Sequence, residues 1–158
     1  MGSHMLDVMI GLFGLPETVY AQCPNLVHRW DVEDCAAVTM RLKGGTLVQS
    51  RFHWNSKTWR HDFEVVGTEA RIIWSPYDNG PVIKTVGKHV DHIELPSAEN
   101  VHLPLVENFV RGILTNRAPV YSITDALKTN ILLDAIYPVS YTHLDVYKRQ
   151  CPKRVQRR

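Results

Sequence analysis

Long apolar runs, paired cysteines and basic charge over most of its length are what this 158-residue chain lacks. No apolar stretch reaches the roughly 18 residues that a membrane-spanning helix needs, so no membrane partner is expected. The apolar segment Leu6 to Leu15 has no basic region ahead of it and does not read as a secretory signal. There are three cysteines, Cys23, Cys35 and Cys151, odd in number and without metal-type spacing. That pattern points to a reduced, cytoplasmic chain without a metal site. The net charge of +2 hides an asymmetry. From Pro138 onward there are six basic residues against one acid, net +5, which leaves −3 for the first 137 residues. A nucleic-acid partner would rest on the tail alone, which lacks the interleaved aromatics and groove-binding helix of such arms, so none is expected.

What is present is an ordinary globular composition, 44% hydrophobic and 22% charged, on a chain long enough for one domain with a core. Met5, Val8, Met9 and Leu12 recur at helical spacing. Ser3 is a plausible N-cap, with Gly14 as the stop and Pro16 beyond it. A β region follows. Thr18–Cys23 is a short strand, and Cys35–Lys43 alternates around Ala36, Val38, Met40 and Leu42. Gly44-Gly45 reads as a two-residue hairpin turn, after which Val48, Ser50, Phe52 and Trp54 share one face. Gln49, Arg51 and His53 share the other. Further strands are expected over 60–66, 70–74, 82–86 and 90–95, separated by turn signals at Gly67-Thr68, Tyr77–Pro81 and Gly87-Lys88. A helix over 102–114 should bury Leu105, Val106, Phe109, Val110 and Ile113. Another over 124–137 carries the stripe Ala126, Leu127, Ile131, Leu132 and Ala135, and Pro138 should end it. The order predicts an α+β fold, an open-faced, mainly antiparallel sheet with helices on one face and no Rossmann domain.

The last 21 residues fit neither period. "SYTHLDVYKRQ" looks like an adaptor-derived string found at the ends of translated metagenomic reads, so residues 138–158 are taken as a non-native or disordered basic tail and 1–137 as the domain.

Three strings in order carry a resemblance: "SHMLDVMIGLFGLPETVYAQ", "FEVVGTEARI" and "NVHLPLVENFVRGILTNRAPVYSITDALKTNILLDAIY". Together they resemble the C-terminal domain of the glucose–fructose oxidoreductase/inositol dehydrogenase/MocA (Gfo/Idh/MocA) family. The resemblance implies a two-domain oxidoreductase in which an N-terminal Rossmann domain binds NAD or NADP. The C-terminal sheet domain would contact a sugar-like polyol or cyclitol substrate and build a homo-oligomer through its sheet face. It also implies a lysine from the nucleotide domain and an Asp-x-x-x-His pair opening the C-terminal domain. A histidine there suits the carbinol proton, because its pKa lies near working pH. Here there is no Gly-x-Gly-x-x-Gly, no such lysine, and the Asp would fall just ahead of Met1. Of the catalytic set only His4 carries over. The chain is therefore expected to be N-terminally truncated, inactive alone and unable to bind NAD(P) by itself.

His4 has a second reading, since "GSHM" is also the scar left when a purification tag is cut away. The gapless spacing from His4 to Gly14-Leu15-Pro16 favours native origin. Gln49, Arg51 and His53 are candidate contacts for substrate hydroxyls, as is His102, which opens a helix beside Pro104; each has a plainer reading as a solvated or associating surface or a near-cap residue. Trp54, Trp59 and Trp74 read as core or interface aromatics, Cys35 as a small buried residue, and Ser122-x-x-Asp125 as a helix cap. His89 and His92 are three apart on a strand and point to opposite faces, which disfavours zinc. The alternative in a different class is a non-catalytic α+β binding or dimerisation module that uses the open sheet face.

Overall fold

The structure is a computed structural model that describes residues 2–77, 80–96 and 99–150, with side chains up to residue 140. The expected turn at Tyr77–Pro81 includes two residues outside the described set, as does the end of the basic tail from Cys151 on. The elements run α1 (Gly2–Phe13), β1 (Thr18–Gln22), β2 (Cys35–Arg41), β3 (Leu47–His53), β4 (Phe63–Val66), β5 (Ala70–Trp74), β6 (Val82–Val86), β7 (His89–Ile93), α2 (Leu103–Thr115) and α3 (Ile123–Gln150). This is the α+β class expected, with the strands in two antiparallel sheets rather than one: β1-β2-β3 and β4-β5-β6-β7. The chain divides into two compact units, residues 57–120 and the remainder.

In the first unit, α1 and α3 pack on one face of β1-β2-β3. Its core is Leu6, Met9 and Ile10 from α1, Ala21, Val38, Met40 and Leu42 from the sheet side, and Leu132 and Ile136 from α3. Leu6, Met9 and Ile10 stand at i, i+3 and i+4, so the buried stripe is rotated slightly from the expected one and Leu12 is exposed. The helix already includes Ser3, so Ser3 is not its N-cap. Gly14, at φ +82°, closes α1 by donating its N–H to the Ile10 carbonyl (2.8 Å).

The β2–β3 turn corrects the two-residue reading. Leu42 N–H donates to the Thr46 carbonyl (2.8 Å), so the loop is Lys43-Gly44-Gly45, with both glycines at positive φ. The reason is parity. Directly opposed residues must point to the same side, and a two-residue turn would have set Met40 and Val38 opposite outward-facing partners. The three-residue loop instead pairs Met40 with Val48, Val38 with Ser50 and Ala36 with Phe52, which unites the apolar face.

α3 also departs from expectation. It does not end at Pro138 but continues through it. Its inward side is Thr129, Leu132, Ile136 and Ser140, whereas Leu127 and Ile131 are exposed. Ser140 is buried, and its hydroxyl accepts the Cys23 N–H at 2.7 Å, which ties α3 to the end of β1. Ser122 and Asp125 form the expected cap reciprocally: Ser122 Oγ accepts from Asp125 N (3.3 Å) and Asp125 Oδ2 from Ser122 N (3.1 Å).

In the second unit, β4 to β7 form a meander in sequence order, with Gly87 at φ +58° in the β6–β7 turn. The helix α2 buries none of its side chains. Leu105, Val106, Phe109, Val110 and Ile113 are all exposed, contrary to the sequence expectation. Amphipathic spacing identifies an apolar stripe; it does not state that the partner surface lies within the chain.

Candidate functional site

His4 lies in the first turn of α1, exposed, on a helix whose opposite side is locked in place. Gly2 packs against the Phe52 ring, and Leu6 is only 2% exposed beneath it. One turn beyond His4, the Asp7 carboxylate accepts hydrogen bonds from the hydroxyls of Tyr121 and Thr129, the latter at 2.6 Å. The bond to Asp7, with some burial, pushes the Tyr121 phenol up to about 12, because losing that proton would set two anions side by side. Asp7 thus fixes α1 to the start of α3 and holds the His4 backbone in a defined position.

Gln49, Arg51 and His53 do share one exposed face of β3, as the alternation implied. Register sets Gln49 beside Thr39 and Tyr20, Arg51 beside Ala37 and Gln22, and His53 beside Cys35. This face is the one turned away from α1 and α3. The structure therefore brings these three together and sets them on the opposite side of the sheet from His4. His102 belongs to the second unit, at the N-cap of α2. Its side chain makes no capping bond, and its N–H donates to Asn100 Oδ1 at 2.9 Å. His89 is paired with Asp91 (2.8 Å), and among the described residues no cluster of three His, Cys, Asp or Glu could hold a metal. Trp54 and Trp59 are exposed, so they are not core.

A second feature was not read from the sequence. The loop between β1 and β2 folds around Asp34, which is 0% exposed. Its carboxylate accepts the backbone N–H groups of Leu26 (2.9 Å), Val27 (2.8 Å) and His28 (2.8 Å), and these bonds, His28 foremost, hold its carboxyl below the usual range. Asn25 completes the loop by donating to the Trp30 and Val32 carbonyls at 2.6 and 2.8 Å. Tyr137 of α3 donates to Glu33 at 2.7 Å. The result is an ordered loop whose outer surface carries Leu26, Val27, Val32 and a parallel His28–Trp30 stack with centroids 4.0 Å apart. The only local signal was Asn and Asp near Pro24, a turn composition. Beneath the loop is a cavity of about 100 Å3 lined by Leu6, Cys23, Cys35, Phe52 and Trp54, among others.

All strand pairs among the described residues are antiparallel, and among them no glycine-rich turn leads from a strand into a helix.

An antiparallel sheet backed by two helices, with a histidine at the head of the first, defines the class as an α+β domain. Residues 1–73 match the GFO/IDH/MocA C-terminal domain family, so the expected family resemblance holds for this chain. Solved structures extend the likeness of fold across nearly the whole chain. An aldose-aldose oxidoreductase from Caulobacter crescentus, complexed with glycerol, superposes with a TM-score of 0.79 at 21% identity, covering 90% of this chain and 44% of that one. A levoglucosan dehydrogenase in complex with NADH gives 0.78 at 15% identity, covering 90% and 47%. UDP-N-acetylglucosamine 3-dehydrogenase from Acidithiobacillus ferrooxidans gives 0.77 at 15%, covering 87% and 44%. The chain thus spans less than half the length of these enzymes. No curated protein matches it by sequence.

Proposed function

We propose that this chain is the substrate-side, C-terminal domain of an NAD(P)-dependent oxidoreductase that acts on a sugar-like polyol or cyclitol. The observation that carries the reading is the joint match: the family assignment of residues 1–73 and a fold shared over 90% of the chain with a sugar oxidoreductase. Because no glycine-rich turn leads from a strand into a helix among the described residues, NAD or NADP belongs to a companion nucleotide-binding domain, and the chain alone is inactive. Its own contribution is His4, an exposed imidazole in the first turn of the helix that Asp7 ties to Thr129, where it can take or return the hydroxyl proton of a substrate carbinol.

Gln49, Arg51 and His53 cannot share a substrate with His4 of the same chain, since the sheet lies between them. Their face suits homo-association better, with the polar rows through Thr39 and Gln22 available for pairing with a second copy. His102 stays a lesser candidate for substrate contact.

The test joins this chain downstream of an NAD(P)-binding Rossmann domain taken from an enzyme of the same fold. Sugar-dependent reduction of NAD or NADP is expected, and His4→Ala should cut kcat by about 100-fold or more while cofactor binding is kept. No turnover on any of a panel of aldoses, polyols and cyclitols would overturn the reading. So would micromolar NADH binding by the chain alone in a fluorescence titration.

A further inference from the structure

The cavity beneath the Asp34 loop lies wholly within the first unit and has an apolar floor and a charged rim. Leu6, Val38 and Ile136 make the floor, exposed by only 2%, 3% and 4%. Ala36 is half-buried beside them. At the rim stand the exposed Trp54 and Tyr137 and the half-buried Glu33. Glu33 is the one charged residue in the lining. Its Oε1 accepts the Tyr137 hydroxyl at 2.7 Å, and among the described residues no donor reaches Oε2. Its charge is felt along the wall. Burial pushes the Cys23 thiol up, the bond to Ser140 offsets part of this, and the Glu33 charge adds to the rise.

We propose that this cavity binds a small primary alkylammonium ion, with its apolar body over Leu6, Val38 and Ile136 and its ammonium head on Oε2 of Glu33. The size follows from the volume. A dry apolar cavity of about 150 Å3 holds benzene, so the cavity of about 100 Å3 takes a body of about four or five carbons. The floor offers water no set of polar partners, so an alkyl group is the better occupant there. The sign of the head follows from the rim. A carboxylate attracts a cation and repels a carboxylate or phosphate of the same size. An ammonium group brings three donors, so it serves Oε2 while Tyr137 keeps Oε1. A neutral alcohol with the same body gains the floor contacts and lacks the charge. The site is distinct from the carbinol chemistry assigned to His4, which is exposed two residues before the inward-facing Leu6, on the other side of α1.

The experiment titrates isopentylamine, with isopentanol as its neutral counterpart, into the methyl-labelled full chain near neutral pH and follows the methyl signals by NMR. The methyls of Leu6, Val38 and Ile136 should shift together and saturate with a Kd of about 1 mM, the range open to a ligand this small. The methyl signals of Ile83, on β6 in the second unit, should stay in place. Isopentanol should move the same signals with an affinity about threefold or more weaker, and Glu33→Gln should bring the amine down to the level of the alcohol. Ala36→Leu fills the space with a larger side chain and should abolish binding of both. Three results would each overturn the proposal: no shift at about 20 mM amine, equal affinity for amine and alcohol, or a folded Ala36→Leu chain that still binds. Should Ala36→Leu fail to fold, the methyl map of the unaltered chain and the Glu33→Gln comparison decide between binding here and none.

Discussion

Truncating Leu6 to alanine separates a structural α1 from an appended one. Leu6 is 2% exposed and already borders the cavity of about 100 Å3, so neighbouring side chains cannot readily collapse into the space its truncation leaves. Three carbon groups leave the interior, about 2.4 kcal/mol at about 0.8 kcal/mol each. The enlarged void adds roughly 1–2 kcal/mol at about 24 cal/mol per Å3. The total, about 4 kcal/mol, should lower Tm by roughly 8–16 °C in a chain of this size and shift the urea midpoint down with it. Two matched measurements check this: thermal unfolding followed by circular dichroism, and a urea titration followed by tryptophan fluorescence. A loss below about 1 kcal/mol would refute the reasoning, because a helix that frays independently of the sheet would lose nothing when its inward leucine is shortened. As a contrast, Leu12→Ala on the exposed side should change stability by no more than about 0.5 kcal/mol.

Asp34→Ala should release the loop, and amide exchange at Leu26, Val27 and His28 should speed up about tenfold or more, with β5 and β6 amides unaffected. The Asp34 carboxyl titrates below its ordinary 3.8 in the folded chain, so its contribution is complete above that value and is lost as pH falls through the lower folded one; the three amides should lose protection in acid and not in mild alkali. Tyr121 behaves in the opposite sense. Its raised pKa means that the contribution of the Asp7 lock is complete below about pH 10 and is lost as pH rises through about 12, and one late-titrating phenol seen at 295 nm should vanish in Tyr121→Phe. His4→Ala should leave the stability of the chain within about 0.5 kcal/mol, since the imidazole is exposed; a larger loss would give His4 a structural role in α1.

How much was legible depended on whether the deciding contacts were local. β5 and β6 fall where runs such as "ARIIW" and "VIKTV", bounded by turn residues, expected them, because β-branched side chains and glycine punctuation act within a few positions. The Ser122–Asp125 cap was readable for the same reason. The inward side of α3 was not. Leu127 and Ile131 are as apolar as Leu132 and Ile136, and only the position of the sheet decides which pair is covered. The Asp34 loop was illegible because one carboxylate gathers amides six to eight residues away along an irregular path, which no period encodes.

The sequence by itself determined the α+β class, the strand segments of the meander, the two faces of β3 and the family to which residues 1–73 are similar. Each of these follows from side-chain alternation or from residues near one another in the chain. Tertiary structure decided the three-residue register of the β2–β3 hairpin, the separation of His4 from Gln49, Arg51 and His53 by the thickness of a sheet, the exposure of the α2 stripe, and the gathering of three loop amides on Asp34. The physical reason is the same in each case. Periodicity fixes which side chains share a face, and only packing fixes what that face meets.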